Sequence, residues 1–181
     1  MAACLAGDAT AQRTLFRREY PRVHATIYRI LGPSRDHDDL AQETFIAVFR
    51  GLPRFRAESR LSTWIDRIAV RVVFEFIRAR GKTPLPLGVV ELDDSAESHG
   101  PLIDAQVHAR DGLRRLYAAL GELTPEQRTA FALYAIDGRS IAEVAKLTGV
   151  TGVTAKLRIW RARRELMKRA AADPVLKEQV S

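Results

Sequence analysis

Residues 36–80 read DHDDLAQETFIAVFRGLPRFRAESRLSTWIDRIAVRVVFEFIRAR, and this stretch decides the fold. It divides into two helical patterns joined by a short polar loop. The first covers about 36–52. Asp36, Asp38 and Asp39 open it, where the positive end of a helix dipole favours carboxylates. Ala41, Phe45, Val48, Phe49 and Leu52 recur at helical spacing and form one apolar stripe. Asp39, Gln42, Glu43 and Ile46 fall on a different side, free to face a partner. Gly51 and Pro53 end the helix, since neither continues the backbone comfortably.

The second pattern, 61–80, carries two stripes. Ile65, Ile68, Ala69, Val72, Phe76 and Ile77 make a core face of ordinary width. Trp64, Arg67, Arg71, Phe74 and Arg78 recur on a neighbouring face. Two readings of that face stand side by side. The rings widen the core and the arginines are solvated, or the alternation serves unpaired nucleic acid. In the second case rings stack on bases, at roughly 1–3 kcal/mol each, while guanidinium groups hold phosphates.

The run DxxDLxQETF followed by GLxxFRxxSxLxTWxxRIA resembles the core of the extracytoplasmic-function (ECF) sigma factors, small subunits that direct bacterial RNA polymerase to promoters. The residues that carry the likeness are Asp36, Asp39, Leu40, Gln42, Glu43, Thr44, Phe45, Gly51, Leu52, Phe55, Arg56, Ser59, Leu61, Thr63, Trp64, Arg67, Ile68 and Ala69. The resemblance implies that Asp39, Gln42, Glu43 and Ile46 dock on the clamp helices of the polymerase β′ subunit. It further implies that Phe55, Arg56, Ser59, Arg60, Trp64, Arg67, Arg71, Phe74 and Arg78 capture the melted minus-ten strand. Arg71 stands where asparagine is frequent in the family, so minus-ten preference stays open.

The chain has 181 residues, a net charge of +7, 46% apolar and 28% charged residues. That composition is ordinary for a globular protein, while the positive charge favours a polyanionic partner. Residues 1–80 hold 14 basic and 9 acidic groups, 81–107 hold 1 and 5, and 108–181 hold 14 and 8. Two basic blocks flank an acidic one, which argues for two separate anion-binding surfaces. Cys4 is the single cysteine, so an intrachain disulfide is excluded. The N-terminal residues lack a signal-peptide pattern and no apolar run is long enough to span a bilayer, so a cytoplasmic location without membrane insertion is expected.

Residues 8–31 keep a helical period through Leu15, Phe16, Tyr20, Val23, Ile27, Ile30 and Leu31, with Pro21 starting a new helix or kinking one. Residues 81–106 are broken by Gly81, Pro84, Pro86, Gly88, Gly100 and Pro101 and carry Glu91, Asp93, Asp94 and Glu97. They read as a flexible acidic linker. It is either a passive tether or, as the resemblance implies, a strand entering the polymerase cleft.

A second domain is expected over 107–172, with a tail at 173–181. Thr124 with Gln127, and Ser140 with Glu143, are capping boxes, the first followed by Pro125. The helix after Thr124 stops at Gly138, a short helix runs through Leu147, and Thr151 caps a long basic helix to about Ala171. Short helix, glycine turn and basic helix make a helix-turn-helix. Ala155, Ile159, Ala162 and Leu166 face inward, leaving the N-terminal part of the long helix to enter a major groove.

This half resembles the ECF ending TVKxRLxRARxxL at Thr154, Lys156, Arg158, Arg161, Ala162, Arg163 and Leu166. Minus-thirty-five contacts are therefore expected from Thr151, Thr154, Lys156, Leu157, Arg158 and Arg161. Val153, Ala155 and Leu157 replace the family's glycine, valine and serine, and Leu157 suits either a thymine methyl or a protein partner.

The expected fold is thus all-α: two small helical domains, 1–80 and 107–172, joined by the linker, the second a helix-turn-helix of the winged-helix-like DNA-binding class. The expected function is a sigma factor that needs no cofactor and catalyses no reaction. Its expected partners are core RNA polymerase (β′ clamp helices and β flap), promoter DNA as duplex and melted strand, and an anti-sigma factor. A helix-turn-helix regulator that leaves the sigma subunit in place explains only residues 124–170. A metal-dependent hydrolase built on Asp36, His37, Asp38, Asp39 and Glu43 fails on geometry, because a helix spreads these side chains around its circumference.

Overall fold

The computed structural model describes residues 4, 8–81, 101–171 and 173, without the side chains of 101–109. Among the described residues there are seven α-helices and no strand. The first half holds α1 (Ala9–Leu31), α2 (His37–Gly51), a 3-10 turn (Leu52–Arg54) and α3 (Leu61–Arg80). Asp8 caps α1 by accepting from the Thr10 and Ala11 N–H groups at 2.7 and 2.9 Å. Pro21 lies within α1 and does not end it. Its ring is on the exposed side, where water can satisfy the carbonyl one turn back.

α1, α2 and α3 pack on one another around Val23, Ile27, Phe45, Val48, Ile65 and Val73. Thr44, fully buried in α2, donates its hydroxyl to the Leu40 carbonyl at 2.7 Å, so this interior position carries no orphaned polar atom.

The second half holds α4 (Pro101–Gly121), α5 (Pro125–Phe131), a π turn (Ala132–Ile136), α6 (Ile141–Thr148) and α7 (Gly152–Ala170). α4 begins at Pro101, inside the stretch that composition marks as linker. Both capping boxes form, Thr124 with Gln127 and Ser140 with Glu143. Gly149 takes φ 69° after α6 and permits the tight turn, and Thr151 caps α7. The π turn adds a residue to the repeat, so Phe131 and Leu133 are buried while Tyr134 is turned out.

The two halves share a core. α3 packs on α5 and α6, and α1 packs on the π turn. Val70 and Val73 from the first half join Leu133, Val144 and Leu147 from the second in one buried cluster. A second cluster, with Leu116, Leu120, Phe131 and Leu166, lies within the C-terminal half. Periodicity marks each apolar stripe but not which stripes meet, and here part of each meets the other half.

Polar groups fasten this joint. Arg128, 2% exposed, reaches out of α5 to the end of α1. Its Nε donates to the Ile30 carbonyl at 3.2 Å and an Nη to the Leu31 carbonyl at 2.7 Å. These carbonyls belong to the last turn of α1, which has no helical partners of its own. Tyr117 of α4 donates to the Arg29 carbonyl at 3.0 Å, and its ring lies against Gly32, where a Cβ would come within 2.3 Å of ring carbon. Gly32 also has φ 72°, so both space and backbone call for glycine.

Candidate nucleic-acid interface

Asp39, Gln42, Glu43 and Ile46 occupy one exposed face of α2, because they lie three or four residues apart on a helix whose other face is buried. Ile46 is 50% exposed, and neither Asp39 nor Glu43 has an ion-pair partner among the described residues. Asp36 differs, being engaged by Ser34 at 2.6 Å and Arg80 at 2.8 Å, which hold its carboxyl below the usual range. A surface with unpaired carboxylates, an amide and an apolar side chain suits a basic, partly apolar helix of another protein.

A short loop joins the 3-10 turn that follows α2 to α3. Ala57 there has φ 56°, a left-handed conformation that costs a non-glycine residue free energy. Phe55 and Trp64 pack with their rings tilted by 46° and centroids 5.1 Å apart, and Trp64 also lies on Gly51, where a Cβ would come 3.1 Å from its ring. Trp64 is therefore half-buried and partly a core residue, yet keeps an accessible edge. Arg56, Arg60, Arg71 and Arg78 are exposed, while Ser59, Arg67 and Phe74 are half-buried. Arg78 is held by Glu75 at 2.5 Å. On this face Trp64 packs against the buried cluster, while Arg71 and Arg78 stand on the surface.

In the second half Thr151, Lys156, Leu157 and Arg161 are exposed on the N-terminal part of α7. The Thr151 and Thr154 hydroxyls lie 2.9 Å apart. Arg158 is half-buried and lines a cavity of about 660 Å³ between the halves. Arg67, Arg71 and Phe74 of α3 line the opposite wall. The two expected anion-binding surfaces therefore converge on one space.

Sequence patterning missed the charges that cross the joint. Asp66 of α3, 3% exposed, is 3.3 Å from Arg22 of α1 and 3.7 Å from Arg139, which precedes α6. Arg139 also pairs with Asp137 at 2.6 Å, and Asp137 with Arg29 of α1. Burial raises the Asp66 carboxyl above its ordinary value, against the pull of Arg22 and Arg139. Burial likewise lowers Arg128 to about 10 and raises Tyr117 to about 12. Asp66 and Arg128 stand at core-facing helical positions, and a charged residue at such a position is the one signal the sequence offered. Trp160, 55% exposed with Arg164 5.5 Å from its ring, was also missed, since its position has no distinctive pattern.

Among the described residues no cluster of three or more His, Cys, Asp or Glu side chains is arranged to hold a metal ion. Nor is any described helix long and apolar enough to cross a membrane.

Residues 15–83 match the family described as Sigma-70 region 2, and residues 113–166 match Sigma-70, region 4. The ECF RNA polymerase sigma factor SigM of Mycobacterium tuberculosis is 33% identical over 171 residues, covering 93% of this chain and 81% of that protein. The ECF RNA polymerase sigma factor SigE of Mycolicibacterium smegmatis is 33% identical over 163 residues, covering 88% of this chain, which spans only 63% of that relative's length. Among solved structures, CnrH in complex with the cytosolic domain of CnrY is similar with a TM-score of 0.64 and 26% identity, covering 95% of each chain.

Proposed function

The chain belongs to the extracytoplasmic-function sigma factors, and from that membership we propose that it binds core RNA polymerase and directs it to the promoters of one regulon. The observation that carries this reading is the pairing of two surfaces on the first half. The exposed Asp39, Gln42, Glu43 and Ile46 face belongs to α2, and α2 packs on α3, the helix that carries the ring-and-guanidinium face. One surface grips polymerase at the β′ clamp helices while the other takes the separated strand. A base leaving the duplex regains stacking and hydrogen bonds on Phe55, Trp64 and the neighbouring arginines, which offsets the few kcal/mol lost on unstacking. The exposed part of α7 reads the minus-thirty-five duplex from its major groove, with Thr154, Lys156, Leu157 and Arg158 toward base edges and Arg161 toward phosphate.

The chain supplies address and strand opening, and polymerase supplies the chemistry. Both DNA contacts cannot be made while Arg158 faces α3 across the cavity, so the halves separate on promoter binding. CnrH is solved in complex with the cytosolic domain of CnrY. A comparable protein partner, the anti-sigma factor that the resemblance implies, is proposed to hold this chain inactive.

The test is transcription from a genomic fragment library by purified core polymerase with and without the chain. New, discrete start sites support the reading. A polymerase that stays blind to every promoter refutes it.

A further inference from the structure

We propose that the cavity between the halves binds a small phosphorylated ligand, and that this ligand holds the halves together. The space, about 660 Å³, falls in the range of ligand pockets. Arg67 and Arg71 of α3, Lys146 of α6 and Arg158 of α7 line it, and none has a carboxylate partner among the described residues. The carboxylates that line it are Glu126 and Glu75, and Glu75 is already held by Arg78. Four cations around one uncommitted carboxylate leave a positive excess that a doubly or triply charged anion would match.

Two buried polar atoms on the wall make no hydrogen bond, Arg67 Nε and Thr129 Oγ1. Thr129 is 1% exposed, so its hydroxyl meets a ligand oxygen only when the side chain turns into the cavity as the anion enters. An unmade hydrogen bond at a buried donor costs free energy that a ligand oxygen would recover. Three of the four cations are guanidinium forks, which match phosphoryl oxygens in pairs. Half-buried Phe74 offers a ring face beside them, suited to a nucleobase.

The consequence rests on the sigma reading. A ligand touching α3, α5, α6 and α7 favours the closed arrangement by mass action. It also occupies Arg71, Phe74 and Arg158, proposed above as promoter contacts, so ligand and promoter compete.

The test is calorimetric titration of the full chain at fixed ionic strength, with GTP and inorganic tripolyphosphate as separate probes. Saturable binding of both with equal affinity supports a site for phosphoryl groups alone. Tighter binding of GTP supports the same site with the base on Phe74. No saturable binding of either at millimolar concentration overturns the proposal. Thr129→Val, which keeps shape and removes the hydroxyl, should bind the probe about tenfold more weakly, and Lys146→Gln likewise. Thr129→Val should melt no lower than wild type without probe, so lost affinity cannot be read as unfolding. Wild-type affinity in both variants would place binding elsewhere and end the proposal.

With polymerase present, probe should reduce promoter-fragment binding by the wild-type complex and not by the Lys146→Gln complex. A chain that binds the probe but never programmes polymerase would sink the sigma reading and leave the site standing.

Discussion

Replacing Arg128 with methionine should open the molecule without unfolding either half. Its guanidinium is 2% exposed and donates to the Ile30 and Leu31 carbonyls, at 3.2 and 2.7 Å. Burial takes its pKa down from 12.5 to about 10, a desolvation cost of about 3 kcal/mol. Against this stand two hydrogen bonds from a charged donor, at roughly 1.5–3 kcal/mol each, aimed at the negative end of the α1 dipole. The balance favours the closed joint by about 1–2 kcal/mol.

Methionine fills similar volume but leaves both carbonyls without a donor, which brings the total loss to about 3 kcal/mol. That is roughly a hundredfold in the ratio of closed to open molecules. Small-angle X-ray scattering should show a larger radius of gyration, with helical ellipticity unchanged. Arg163→Met, which removes an exposed charge, should do neither. Arg128→Lys, with the charge but not the fork, should fall between. If Arg128→Met keeps the wild-type radius and melts like wild type, the reasoning about this latch is wrong.

Alanine at Asp39, Gln42 and Glu43 together should weaken core-polymerase binding at least tenfold, because interface charges seldom act alone, while the melting temperature stays put; unchanged affinity in a pull-down titration would remove the docking assignment. Arg158→Ala should cost about 1–3 kcal/mol on a cognate promoter and less on random duplex, whereas equal losses in electrophoretic titration would make it a phosphate contact. Gly32→Ala should destabilise by about 2 kcal/mol or more, since its Cβ would meet the Tyr117 ring at 2.3 Å and its φ is 72°; urea melts at wild-type midpoint would contradict that. Asp66→Asn tests linkage. With its folded pKa raised, Asp66 favours the fold when protonated, and this contribution is lost as pH rises through the raised value. The asparagine variant should therefore gain on wild type as pH goes from 4 to 7, although it faces Arg22 and Arg139 as well as Glu19 and Asp137; a variant that falls behind wild type over that interval would show that the ion pairs outweigh burial.

Most of the helical layout was legible because it is written in local signals. Thr124 and Ser140 cap the helices they were read as capping, and the stripe of Phe45 and Val48 is buried. The exposed face of Asp39, Gln42, Glu43 and Ile46 was legible for the same reason: a helix with one buried side must show the other. Long-range pairing was not legible. Nothing near Arg128 in sequence announces the end of α1, and Tyr117 is far along the chain from Gly32. The π turn was not legible because one added residue breaks the helical period, and it is this added residue that turns Tyr134 out beside buried Phe131 and Leu133. Arg158 was placed correctly on its helix, but its face toward α3 depends on the joint between halves.

The closed joint sets like charges against one another. Arg67, Arg71, Lys146 and Arg158 converge from both halves on one cavity, where their like charges repel one another. What opposes this is apolar burial at Val70, Val73, Val144 and Leu147, together with Arg128 and the Arg22, Asp66, Arg139, Asp137 and Arg29 chain. Screening or neutralising the cations therefore strengthens a joint made this way. On the proposed promoter reading, DNA phosphate neutralises each surface from outside, with the halves apart, whereas the proposed small anion between them neutralises both at once. The same four side chains can therefore favour opening or closure, and the shape of the anion decides which.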